Sequence, residues 1–147
     1  MFGQDERRGK PRMQTVTPYL LYEDVAAAID WLSRAFGFEE QLRFADDDGT
    51  VTHAELALGD GIVYLGHPGP DYRSPKRVGT TSHLVHVYVD DVEAHHARAV
   101  GAGAPGELQD TPYGDRRYDT EDLEGQRWSF AQRMKDVAPE DWGARAV

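Results

Sequence analysis

The chain has 147 residues, enough to enclose one core and too few for two full domains. It has no cysteine, which excludes disulfides, thiolate nucleophiles and Cys-ligated zinc or iron–sulfur centres, so a metal would have to use His, Asp or Glu. A formal charge of −10 disfavours nucleic acid, no apolar run is long enough to cross a bilayer and the opening residues lack a signal core, so a soluble, cytoplasmic protein is expected.

In chain order, residues 1–13 have no hydrophobic period and are expected to form a mobile arm. Residues 14–66 then read as a βαβββ module. Gln14 to Tyr22 is β-prone on both faces, with Pro18 placing it at an edge or at the start of a strand. Asp24 caps a helix whose apolar residues Val25, Ala28, Ile29, Leu32 and Phe36 recur at helical spacing, and Gly37 stops it. Strands follow over Glu40 to Ala45, Val51 to Leu58 and Ile62 to Leu65, separated by Asp46-Asp47-Asp48-Gly49 and Gly59-Asp60-Gly61. In the middle strand Ala54, Leu56 and Leu58 face the helix, which leaves His53 and Glu55 together on the other face.

Residues 67–80 are Gly- and Pro-rich and read as a linker. The pattern then restarts over residues 81–133. His83 to Val89 alternates, Asp90-Asp91 caps a shorter helix over Val92 to Val100, and Tyr22-x-Asp24-Val25 matches Val89-x-Asp91-Val92 at the strand-to-helix passage. A weak strand near Gly106 to Gln109 precedes the most informative stretch, YGDRRYDTEDLEGQRWSF, from Tyr113 to Phe130. It reads as strand, acidic turn and strand in a half-buried hairpin, with Trp128 and Phe130 on one face and Arg127, Ser129 and Ala131 on the other. Arg116 and Arg117 fall on opposite faces, and which of them points inward stays open. Residues 134–147 form a polar tail in which Trp142 reads as a packing anchor.

The two βαβββ modules, the passage YEDVAAAIDWL, the run HAELALGDGIVYLG and the closing hairpin together resemble the vicinal oxygen chelate superfamily over Thr15 to Arg133. That group includes glyoxalase I, extradiol dioxygenases, fosfomycin-resistance enzymes and bleomycin-resistance proteins. The resemblance implies an α+β fold in which each module is a curved sheet with its helix outside, the modules enclose a cleft, and pairing often runs across a homodimer. It also implies four metal-ligand positions, which fall here on Thr17, Tyr64, Leu84 and Ser129. Leucine has no donor and the hydroxyls are poor divalent-metal ligands, so no metal and no cofactor is expected there.

Other residues still offer a site. Thr17, Tyr19, His53, Glu55, Tyr64, His86, Tyr88 and Ser129 are expected to line one cleft, where aromatic walls and a few polar groups suit a small organic ligand. His83 and His86 differ by an odd number and cannot both chelate one ion on a straight strand, and the adjacent His95 and His96 diverge on a helix. There is no nucleophile–base–orienter triad and no phosphate-cradling glycine loop. The expected protein holds a cationic or neutral organic molecule, in the manner of the metal-free bleomycin-resistance-like branch. The alternatives are a lyase, isomerase or dioxygenase using His53, Glu55 and His86 as metal ligands or as acid–base groups, and a domain with no ligand.

Overall fold

A computed structural model describes residues 13–147, so all but the last residue of the expected N-terminal arm lies outside the described residues. The fold is α+β, built from two four-stranded sheets whose strand orders repeat one another. β1 (Tyr19–Leu21), α1 (Val25–Phe36), β2 (Glu39–Ala45), β3 (Val51–Leu58) and β4 (Gly61–Gly66) form the first unit, with sheet order β1-β4-β3-β2. After α2 (Pro75–Val78), the second unit contains β5 (Val85–Tyr88), α3 (Val92–Gly101), β6 (Gln109–Asp110), β7 (Asp115–Glu121) and β8 (Arg127–Arg133), with order β5-β8-β7-β6. In each unit the first strand pairs parallel to the last, which requires the helix as crossover between them.

Helices α1 and α3 begin as their sequences dictate. Asp24 accepts from Ala27 N and Asp91 from Ala94 N, each satisfying one of the unpaired donors of the first turn. The apolar stripe of α1 buries Val25, Ala28, Ile29, Leu32 and Phe36 against β3 and α3. Phe36 reaches across to the second sheet, its ring centroid 4.7 Å from Phe130 and 5.7 Å from Trp128. One core therefore serves both sheets, each of which turns its helix side toward it and its other side outward.

His95 belongs to that core. Its Nε2 lies 2.9 Å from the Phe36 carbonyl and its Nδ1 2.6 Å from the Tyr118 hydroxyl, so the ring is held as a neutral bridge between the units. Burial, first among its influences, keeps it below the ordinary histidine value.

The acidic turn of the closing hairpin is a joint between the units and not a solvent loop. Asp122 is buried and accepts from Tyr22 Oη at 2.6 Å, from Trp128 Nε1 at 3.0 Å, and from the backbone N–H groups of Glu124 and Gln126 at 3.0 Å each. Glu124 accepts from the N–H groups of Glu23 and Asp24, and Gln126 donates to the Leu21 carbonyl. Gly125 sits at φ 86°, and a Cβ there would lie 2.8 Å from Lys76 N, so this contact with the connecting segment requires glycine.

Several element expectations are corrected. The first strand is short because Pro18 has no N–H to pair and because the Gln14 side chain replaces the missing backbone, donating to Ile62 O at 2.9 Å and accepting from Ile62 N at 2.6 Å. The linker contains α2 and is pinned down, since Glu23 accepts from Ser74 N and Glu124 O from Lys76 N. The strand expected over His83 to Val89 narrows to Val85–Tyr88, and the weak strand before the hairpin shrinks to Gln109–Asp110. The hairpin is more than half-buried, because Ser129 and Ala131 are as fully covered as Trp128 and Phe130. In the tail Trp142 packs on Tyr113 at 5.2 Å between centroids.

Candidate functional site

Alternation along β3 puts His53 and Glu55 on the outward face of the first sheet, as their spacing predicts, with Ala54 and Leu56 fully buried behind. Register supplies their neighbours. Glu55 lies opposite Tyr64 on one side and Leu42 on the other, His53 lies opposite Gly66 and Phe44, and Tyr19 lies opposite Tyr64. The Tyr19 hydroxyl is 2.9 Å from His53 Nδ1, and His53 Nε2 is 3.0 Å from Glu55 Oε2. Tyr19, Tyr64 and His53 meet edge to face with centroids 5.4 to 5.7 Å apart. Gly66 makes this possible, because any Cβ there would lie 2.8 Å from the Tyr19 ring.

The second sheet has its own outward cluster. His86 is opposite Ser129, which is opposite Asp119, while Tyr88 is opposite Ala131, which is opposite Arg117. His86 Nδ1 lies 3.3 Å from Ser129 Oγ, and Ser129 is fully buried, so it supports the imidazole and offers no surface of its own. Arg117 donates to Asp119 at 2.7 Å and to the Tyr113 hydroxyl at 3.0 Å. Arg116 points to the helix side, where it pairs with Asp110 and Glu93. Register thus answers which arginine faces outward.

Tyr88 donates to Asp115 at 2.6 Å, and Arg133 donates to the other oxygen of the same buried carboxylate. Burial alone would raise Asp115, but these two donors outweigh it and hold the carboxyl below its usual range. Desolvation, with the Arg117 guanidinium second, lowers His86 and favours the neutral ring.

The expected single cleft is not assembled within one chain. Tyr19, His53, Glu55 and Tyr64 cluster on the first sheet and His86, Tyr88 and Ser129 on the second, and no hydrogen bond or ring contact among the described residues joins the two groups. The reason is the shared core, which sets the outward faces on separate sides. Thr17 lies just before β1, where its hydroxyl accepts from Gln14 Nε2 at 3.2 Å. Both outward faces carry large exposed apolar groups: Tyr19, Leu42 and Phe44 on the first, Leu84 and Tyr88 on the second, with Phe44 60 % exposed.

Residues 13–130 match the family described as the Glyoxalase/Bleomycin resistance protein/Dioxygenase superfamily. The chain belongs to that superfamily. An uncharacterized Mycobacterium tuberculosis (strain H37Rv) protein is 33 % identical over 129 residues, which cover 83 % of this chain and 76 % of that one. The crystal structure of TioX from Micromonospora sp. ML1 is 40 % identical, covers 82 % of this chain and 99 % of its own, and superposes with a TM-score of 0.68. Lactoylglutathione lyase from Agrobacterium tumefaciens, at 20 % identity, 84 % and 96 % coverage and a TM-score of 0.58, shares the fold.

Of the four positions that the resemblance implies for metal ligands, Tyr64 packs edge to face on Tyr19 and His53. Leu84 brings no donor, the Thr17 hydroxyl is engaged by Gln14, and Ser129 is buried against His86. Among the described residues no three His, Asp or Glu side chains converge on a point that would hold a metal, and no helix is long and apolar enough to cross a membrane.

Sequence reading left out Leu42, Phe44, Tyr113 and Asp119. The last was within reach, because counting outward from the turn at Asp122 to Gly125 places Asp119 opposite Ser129 and Arg117 opposite Ala131. Leu42 and Phe44 were not, since β2 slips register against β3 twice, between Glu40 and Leu42 and between Phe44 and Ala45.

Proposed function

We propose that this superfamily member is a cytoplasmic small-molecule-binding protein of the bleomycin-resistance-like kind, which holds an organic ligand against aromatic walls without the usual metal ligands. Its partners are then the ligand and a second copy of the chain, and neither nucleic acid nor membrane. The observation that carries this reading is the pair of outward sheet faces, each combining exposed aromatic and aliphatic groups with hydrogen-bonded His, Tyr and carboxylate side chains. An isolated chain gains nothing from exposing Phe44, Tyr19 and Tyr88, whereas a cleft closed over a ligand uses both their area and their neighbours' polarity.

Completion of the cleft falls to a homodimer, in which the first sheet of one chain faces the second sheet of its partner. The net charge of −10 draws cationic or neutral compounds to it. A thermal-shift screen of aromatic compounds against the purified chain tests the reading. Stabilising compounds should lose their effect in Tyr88→Ala and in His53→Ala, and a screen in which no compound distinguishes wild type from these variants would refute it.

One observation favours a second reading. The hydrogen-bonded line Tyr19–His53–Glu55 suits acid–base work, as in a metal-free lyase or isomerase of the same superfamily. Mass spectrometry of a hit after long incubation separates the two, since a binding protein returns the compound unchanged and an enzyme does not.

A further inference from the structure

We propose that Tyr19, His53 and Glu55 form a proton relay that takes a proton from a phenol-like hydroxyl seated against Tyr19, so that the face ionises its ligand as well as holding it. Ionisation goes beyond holding and presupposes that the outward face of the first sheet is where the ligand sits.

The direction of the relay follows from the donors and acceptors. A carboxylate only accepts, so the 3.0 Å contact with Glu55 places the hydrogen of neutral His53 on Nε2. His53 Nδ1 is then an acceptor, and the Tyr19 hydroxyl 2.9 Å away donates to it. That leaves the Tyr19 oxygen with lone pairs only toward solvent, where the residue is 53 % exposed. A ligand group that meets this oxygen favourably must bring a hydrogen of its own, and an ether or ketone finds no donor there. Leu42 and Phe44 flank the line from β2 and Tyr64 from β4, so the ligand atoms around the hydroxyl meet apolar and aromatic surface.

Transfer balances without any further reactant. The ligand O–H bond breaks as its proton passes to the Tyr19 oxygen, and the proton of Tyr19 passes to His53 Nδ1. Tyr19 ends as it began, the ligand ends as an anion, and His53 ends as an imidazolium beside the Glu55 carboxylate. Passage through a tyrosine hydroxyl suits an oxygen acid at least as strong as tyrosine itself, whose ordinary pKa is about 10, which selects phenols over aliphatic alcohols. Tyr19 touches the ligand, His53 receives the proton and Glu55 is a positioning residue that stabilises the resulting charge.

The probes are 4-nitrophenol, whose ionised form is yellow, and its methyl ether 4-nitroanisole, titrated into full-length wild type, Tyr19→Phe and Glu55→Gln with the folded state of each checked by circular dichroism. Bound 4-nitrophenol should show a phenolate-to-phenol ratio raised about threefold or more over free solution at the same pH. 4-Nitroanisole should bind about tenfold more weakly, the loss of one hydrogen bond. Glu55→Gln keeps an acceptor for His53 but removes the charge, so it should return the ratio to its free-solution value. Bound nitrophenol with the free-solution ratio, or the same raised ratio in Tyr19→Phe and Glu55→Gln, overturns the relay and leaves the binding reading standing. Failure of both probes to bind wild type overturns the ligand class named here, whatever other compounds the thermal-shift screen finds.

Discussion

At the residue scale, Gly66 and Gly125 both allow a close approach, but with different consequences. The atom that an added Cβ would meet at Gly66 is the outer edge of the exposed Tyr19 ring, which can swing away. Gly66→Ala should therefore cost under about 1 kcal/mol in urea unfolding, yet displace Tyr19 from His53 and abolish the compound binding that depends on it. At Gly125 the obstacle is the backbone of Lys76 and φ is positive, so Gly125→Ala should cost more, about 2–3 kcal/mol. Equal losses in the two variants would contradict this contrast. His53 and Glu55 were legible from strand alternation alone, because β3 pairs with β4 without a slip from His53 to Leu58. Their partner Phe44 was hidden by the slips of β2, which no composition or period announces.

At the element scale, the closing hairpin was recognisable in the sequence as two strands and an acidic turn, but its role as a joint was not. Asp122 and Glu124 look like solvated turn residues until the β1–α1 passage is brought against them, and that contact spans about a hundred residues of sequence. Asp122→Asn turns an acceptor-only group into one that also donates, toward hydroxyl, indole and backbone donors that have no other partner among the described residues. A loss of about 3 kcal/mol is expected from chemical denaturation, and a loss below about 1 kcal/mol would show that the joint carries little of the stability.

Asp115, at the start of β7, gives the fold a pH dependence. Its folded pKa is depressed by Tyr88 and Arg133 against the opposing effect of burial. The associated stability is fully present above the unfolded aspartate value, about 3.9, and is lost as pH falls through the lower folded value. Urea midpoints of wild type should fall more steeply below about pH 4 than those of Asp115→Asn, and parallel curves would contradict the assignment.

At the scale of the whole molecule, the repeat of β-strand orders was legible because the strand-to-helix passages at Tyr22 and Val89 carry the same spacing. The separation of the expected site into two halves was not, because alternation assigns residues to faces and says nothing about where two sheets sit relative to one another. What divides them is the single core around Phe36, Trp128 and Phe130, which draws the helix sides of both sheets inward. The homodimer proposed above would bring the halves together and would cover the exposed apolar groups at the same time.

The measurement that bears most directly on this account is the solution mass of the chain by light scattering, for wild type and for Phe44→Asp, with compound binding recorded on the same samples. Wild type should have twice the 16.5 kDa mass of one chain. Phe44→Asp, which changes an outward side chain and leaves the core intact, should be a folded monomer that no longer binds. A wild-type monomer that binds its compounds, or a monomeric Phe44→Asp that binds them as tightly as wild type, would contradict a cleft completed by a second copy.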